Sequence, residues 1–224
     1  MKLIITIDGP AGSGKSTVSR LLAKKLNFLY LDTGAMYRAV ALQAKRTGTA
    51  FNDGEKLWKM CKDLDLNFKT VGEDIKLYLG NENISSAIRS PEMDMLSSKI
   101  SAIKEVRVAM NEHQRKIGKK GRLVAEGRDM GTVVFPDADF KFFITAPPEV
   151  RAERRYKERI GRGESVSGEE VERDLKKRDH QDKTRIIAPL RPAEDAEIIE
   201  TTTLNPDQVV EKIIMYTDFF KNYK

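Results

Sequence analysis

Apolar positions along the 224-residue chain follow two alternating rhythms. The apolar, β-branched run Leu3–Ile7 reads as a buried strand, Phe28–Leu31 as a second short strand, and Arg122–Ala125 and Phe140–Ile144 as buried strands, with Ile198-Ile199 as a last candidate. Between them apolar residues recur at helical spacing. Val18, Leu21, Leu22 and Leu26 mark a helix over 15–26, and Met36, Val40 and Leu42 one over 35–46 that Gly48 stops. Val209, Val210, Ile213, Ile214 and Tyr216 mark a final helix from Asn205-Pro206 to about Lys221. Two strongly charged helices are predicted over 149–160 and 167–180, joined by a turn at Gly161-Arg162-Gly163. Strands alternating with helices imply an α/β fold: a parallel, five-stranded sheet with helices on both faces.

The stretch from about 50 to 102 departs from this rhythm. Leu57, Met60, Cys61 and Leu64 fit a short helix, and 66–70 and 75–79 read as strands around a hairpin-like turn at Gly72-Glu73-Asp74. Pro91 opens another helix, with Met95, Leu96 and Ile100 on its pattern. This region reads as an insertion carrying a small sheet. One domain is expected, with its core at about 1–36, 103–150 and 185–224 and the insertion at about 37–102. The apolar run after Met1-Lys2 is too short for a signal peptide, and no stretch approaches the eighteen apolar residues of a membrane span.

Lys plus Arg number 40 against 34 Asp plus Glu, a net charge of +6. That surplus suits an anionic partner: nucleic acid, an acidic membrane or a phosphorylated small molecule. Cys61 is the only cysteine, which excludes an intrachain disulfide and a multi-cysteine zinc cluster and makes a reducing cytoplasm the expected compartment.

Gly9-Pro10-Ala11-Gly12-Ser13-Gly14-Lys15-Ser16 completes the pattern G-x-x-x-x-G-K-[ST], with a strand before it and a helix after it. Glycines let the backbone form a nest of inward N–H groups, and the helix N-terminus adds partial positive charge. Lys15 can reach the β- and γ-phosphates of a nucleoside triphosphate, and the Ser16 hydroxyl can ligate Mg²⁺. A glycine-rich turn that binds nothing is the alternative, and the aligned Lys and Ser argue against it.

Nine of the seventeen arginines lie between 151 and 191, beside nine acidic residues and four lysines. Two readings stand: a pair of solvated, salt-bridged helices, or a lid over about 151–184 that brings arginines to phosphate and excludes water. Three further clusters follow strands or end helices. Asp32-Thr33-Gly34 with Tyr37-Arg38 follows the second strand, where Asp32 is equally a candidate helix cap and Tyr37 a candidate core residue. Gly127-Arg128-Asp129 follows the third strand, and Arg178-Asp179 through Arg185 closes the second charged helix. His113 and His180 read as surface residues.

Together these segments resemble the bacterial cytidylate kinase family over nearly the whole chain. The carriers are Thr6 to Ser16, Leu-Asp-Thr-Gly-Ala-Met-Tyr-Arg at 31–38, Glu-Gly-Arg-Asp-Met-Gly-Thr-Val-Val-Phe-Pro at 126–136, Arg178-Asp179, and Arg185 with Ala188-Pro189-Leu190. The resemblance implies the P-loop fold with a monophosphate-binding insertion. It implies transfer of the γ-phosphoryl group of MgATP to CMP and dCMP, with Lys15, Arg128 and Arg185 offsetting charge. Residues 9–16 and Thr17 would hold ATP, with Ser16 on the metal. Thr33, Tyr37 and Arg38 would bind the acceptor nucleotide, and Arg38, Arg128 and Arg185 would surround its phosphate. Ser98, Arg107 and Asp129 would read the cytosine edge, and Arg178 and Asp182 would contact the ribose. Glu126 stands where Asp also occurs in relatives. A monomer is expected, with neither nucleic acid nor membrane as partner. The rival readings are a kinase of UMP, dTMP or another metabolite, and a nucleotide-dependent nucleic-acid-binding protein. The second would need a continuous basic groove with stacking aromatics, and aromatic residues make up only 7% of the chain.

Overall fold

The computed structural model describes residues 3–72 and 74–222; Met1, Lys2 and the expected turn residue Glu73 lie outside the described residues. In chain order the elements are β1 (Ile4–Asp8), α1 (Lys15–Leu26), β2 (Leu29–Asp32), α2 (Thr33–Thr47) and α3 (Gly54–Lys62). Next come β3 (Leu66–Val71), β4 (Asp74–Leu79), β5 (Glu82–Asn83), α4 (Pro91–Ile100) and α5 (Lys104–Gly118). The chain continues with β6 (Leu123–Gly127), a single π-helical turn (Met130–Val134), β7 (Phe140–Thr145), α6 (Pro148–Gly161), α7 (Gly168–Thr184), β8 (Glu197–Glu200) and α8 (Pro206–Asn222). Two compact units result: Met1–Tyr30 with Lys120–Lys224, and Leu31–Lys119.

The first unit is built on a five-stranded parallel sheet in the order β2-β6-β1-β7-β8. All five residues of β6 and four of the five in β1 are buried. Successive strand side chains point to opposite faces, so both faces of the sheet centre are covered. Helix α1 packs against α8, and the Phe142 ring meets Tyr216 edge-on at 5.4 Å. From β1 the chain moves to one side of the sheet and later returns to β7 on the other. The carboxyl end of β1 is therefore a topological switch point, the usual place for a ligand crevice in open α/β sheets.

The second unit holds α2 to α5 and an antiparallel sheet β3-β4-β5. Its apolar cluster gathers Ala35, Ala39 and Leu42 of α2 with Leu77, Ile84, Ile88 and Met93. Asp32 caps α2 by accepting from the Ala35 N–H, and Ser90 caps α4 with Pro91 at its first position.

Three features depart from the sequence reading. Helix α5 was not expected, because its buried face includes Arg107 and Gln114 beside Val106, Ala109 and Met110, which breaks the apolar rhythm. Since α5 packs on α3, it belongs with the inserted region, and the compact unit reaches Lys119 rather than ending near 102. The π-helical turn after β6 has no periodic signature in five residues. His113 is partly buried, with Nε2 3.0 Å from the Cys61 carbonyl oxygen; His180 is exposed as expected.

Candidate active site

The phosphate loop leaves β1 at Asp8 and enters α1 at Lys15. Two of its glycines, Gly9 and Gly12, are sterically required. Gly9 has φ +154°, and a Cβ there would stand 2.1 Å from the Ile144 carbonyl oxygen. Gly12 has φ +76°, and its Cβ would stand 2.7 Å from the Arg151 carbonyl oxygen. Ser13 is fully buried and its hydroxyl has no hydrogen-bond partner among the described residues. A buried hydroxyl without a partner inside a loop of inward amides is suited to an anionic ligand. Ser16 and Thr17 are exposed.

Lys15 is buried and folds back to donate to the Pro10 carbonyl at 3.1 Å. Burial first, and then the Arg128 and Arg178 charges, pull its pKa down to about 7, while Glu126 and Asp182 oppose that. A bound polyanion would reverse the balance.

Beyond β6 the first unit gathers the other charged residues singled out in the sequence. Arg128 Nε donates to Asp182 Oδ2 at 2.8 Å, and Arg185 Nη2 donates to Asp129 Oδ1 at 3.3 Å. Burial works against the charge on Asp182, but the Arg128, Arg178 and Arg185 guanidiniums outweigh it and hold its carboxyl below the usual range. Arg185 also donates from Nε to the Ala188 carbonyl at 2.6 Å, which fixes the fork after α7 ends. Paired guanidiniums in a buried setting are poised to exchange a carboxylate partner for a phosphate.

In the second unit Arg38 lies between two carboxylates, 3.6 Å from Asp32 and 3.5 Å from Asp94. The Arg107 guanidinium sits 5.7 Å from the Tyr37 ring centroid and donates to the Ser101 carbonyl at 3.1 Å, just beyond Ser98 on α4. Tyr37 and Thr33 are buried near the start of α2. Asp32 therefore both caps the helix and faces Arg38.

The arginine-rich stretch divides between its two readings. Arg155, Arg159 and Arg162 are ion-paired within the helical hairpin, to Glu158, to Glu164 and Asp174, and to Glu158 respectively. Arg151 and Arg154 instead serve the phosphate loop. Arg151 donates to the Ala11 carbonyl at 3.0 Å, and Arg154 holds Thr201, whose hydroxyl donates to the Ser13 carbonyl at 3.2 Å. Sequence reasoning missed Arg151, Thr201, Asp8 and the buried Tyr30–Glu126 hydrogen bond of 2.8 Å. Arg151 carried no signal beyond its place in the arginine run.

The cytidylate kinase family model matches residues 5–218. The chain belongs to the cytidylate kinase family. A cytidylate kinase of Geobacter sp. (strain M21) is 48% identical over 209 residues, 93% of this chain and 90% of its own. That of Carboxydothermus hydrogenoformans is 48% identical over 94% of this chain and 95% of its own, and that of Clostridium perfringens 44% over 97% and 99%. Among solved structures, an uncharacterized protein from Eubacterium ventriosum shares the fold over 97% of this chain and 99% of its own, with a TM-score of 0.54 at 14% identity. Members of the cytidylate kinase family use ATP as phosphate donor. Among the described residues no helix is long and apolar enough to cross a membrane.

Proposed function

We propose that this chain transfers the γ-phosphoryl group of MgATP to CMP and dCMP, giving CDP or dCDP and ADP. The reading rests on a complete phosphate loop, Gly9–Ser16, in a chain 48% identical over 209 residues to a protein named cytidylate kinase.

The loop amides, Lys15 and Thr17 hold the triphosphate. Mg²⁺ fits here as a guest of the nucleotide: Ser16 offers one exposed hydroxyl at the start of α1, and the described residues hold no cluster of three metal-ligating His, Cys, Asp or Glu side chains. Bound there, the ion offsets phosphate charge and orients the oxygens. The acceptor phosphate is already an anionic nucleophile near neutral pH, so no general base is required. What the protein must supply is alignment and positive charge. Lys15, Arg128 and Arg185 supply the charge, and Arg38 joins Arg128 and Arg185 on the acceptor phosphate. Thr33 and Tyr37 contribute to acceptor binding. Asp129 accepts from the cytosine amino group, while Ser98 and Arg107 donate to its carbonyl and ring nitrogen. Arg178 and Asp182 take the ribose hydroxyls. The α6–α7 hairpin, over about 151–184, excludes water, and the protein works as a cytoplasmic monomer.

The test is ADP release from MgATP with CMP, dCMP, UMP, AMP, GMP, dTMP or no acceptor. Rapid release with CMP and dCMP alone is expected. Equal use of UMP would remove the base-reading roles, and no stimulation by any nucleotide would overturn the reaction.

A further inference from the structure

Asp8 closes β1 immediately before the phosphate loop, and its residue surface is only 4% exposed. The side chain does not serve the loop. Its Oδ1 accepts from the Met130 N–H at 2.9 Å and its Oδ2 from the Gly131 N–H at 2.8 Å. These are the first two amides of the π-helical turn, directly after Asp129. β1 and β6 run parallel with Asp8 opposite Gly127, so Asp8 reaches across to where the neighbouring strand leaves the sheet.

The turn is held on its other sides too. The Asp129 carbonyl accepts from the Val133 and Val134 N–H groups at 2.9 and 3.2 Å. A Cβ on Gly131 would come 3.0 Å from Thr6 Oγ1 and 3.3 Å from Lys141 Cδ, so this turn lies directly on the neighbouring strands. Single π-helical turns are rare and concentrate at functional sites.

We propose that Asp8 is a positioning residue for acceptor recognition, fixing Arg128 and Asp129 through the two amides that follow them. It acts as a splint between the strand that launches the phosphate loop and the turn that presents the acceptor-side pair. The inference rests on the reading that Asp129 recognises the cytosine edge. A carboxylate serves both amides at once. An asparagine has one accepting atom, and its NH₂ group would oppose the second N–H.

The experiment compares Asp8→Asn, Gly131→Ala and Asp129→Ala with the unaltered protein. KM for CMP and for ATP are measured, together with kcat/KM for CMP and UMP. Asp8→Asn is expected to lower the CMP-to-UMP ratio about tenfold, the effect of one lost hydrogen bond, and to raise KM for CMP while KM for ATP moves less than about threefold. Gly131→Ala displaces the same turn, through contacts with Thr6 of β1 and Lys141 of β7, and shifts the ratio in the same direction. If Asp129→Ala collapses the ratio while Asp8→Asn leaves it intact, Asp8 is only a fold residue and the inference is overturned. If Asp129→Ala leaves the ratio intact, the base-reading assignment fails and the role of Asp8 falls with it. Should Asp8→Asn not fold, Gly131→Ala decides, and an unchanged ratio overturns the proposal.

Discussion

Arg151 Nη1 lies 2.7 Å from Asp179 Oδ2 while the same guanidinium donates to the Ala11 carbonyl at 3.0 Å and, through Nε, to the Ala146 carbonyl at 2.9 Å. One buried side chain thus joins the tip of the phosphate loop, the exit from β7 and helix α7. Ala11 also packs against Val171 and Leu175 of α7. Three residues beyond Asp179, and so on the same side of the helix, Asp182 pairs with Arg128. Helix α7 is therefore registered to the phosphate loop by one ion pair and to the turn after β6 by another.

Truncation of Arg151 tests this arrangement. Arg151→Ala leaves Asp179 as a largely buried charge without its partner and is expected to cost about 3 kcal/mol of stability. Adding Asp179→Asn should recover part of that loss, because the uncompensated charge is then gone. Urea denaturation of both single variants and the double variant measures the coupling. Strict additivity would show that the pair does not hold α7.

Lys15→Ala separates chemistry from folding. Turnover is expected to fall at least a thousandfold, as when a preorganised charge facing the transition state is removed. Stability should hold or rise, because burial already disfavours the Lys15 charge in the free protein. Near-normal kcat in a folded variant would take the phosphate loop out of the reaction.

Gly12 and Gly14 both have positive φ, at +76° and +89°, but they differ in what surrounds them. At Gly14 the nearest atom to a Cβ is Arg154 Nη1 at 3.9 Å, so Gly14→Ala carries only the left-handed backbone cost of about 1–2 kcal/mol. At Gly12 the Cβ meets a backbone oxygen at 2.7 Å, which cannot move without shifting α6. Gly12→Ala should therefore destabilise the protein by clearly more than Gly14→Ala in paired urea titrations. Equal losses would mean that the loop does not rest on Arg151.

These residues also show how far the chain could be read in advance. The phosphate loop was legible because its glycines, Lys15 and Ser16 sit in one contiguous register. The alternation of strands and helices placed it at a strand end. Arg128, Asp129, Arg178, Asp182 and Arg185 were legible only as clusters; their pairing joins residues 54 and 56 positions apart, which no local pattern encodes. Arg151 and Asp8 escaped functional reading for the same reason, since each acts through backbone groups distant in sequence. Helix α5 escaped because Arg107 and Gln114 occupy its buried face, which interrupts the apolar periodicity on which a helix reading depends.

The ionisation of Asp8 gives a pH test of the splint between β1 and the π-helical turn. Burial pushes its carboxyl up to about 7, against the opposing hydrogen bonds from Gly131 and Met130; the Asp129 charge adds to the rise and Arg128 opposes it. In the unfolded chain the same group ionises near 3.9. Between those values the folded protein holds more protons than the unfolded chain. The stability contributed by Asp8 is therefore complete below about pH 4, declines as pH rises toward 7 by at most about 1.4 kcal/mol per unit, and is level above that. Asp8→Asn has no such slope, while other groups titrate alike in both proteins. The stability of the unaltered protein relative to Asp8→Asn should thus fall from pH 5 to about pH 7 and stay level from there to pH 8, in urea titrations at each pH. A constant gap would mean that Asp8 ionises in the ordinary carboxylate range, and that its two amide bonds outweigh its burial.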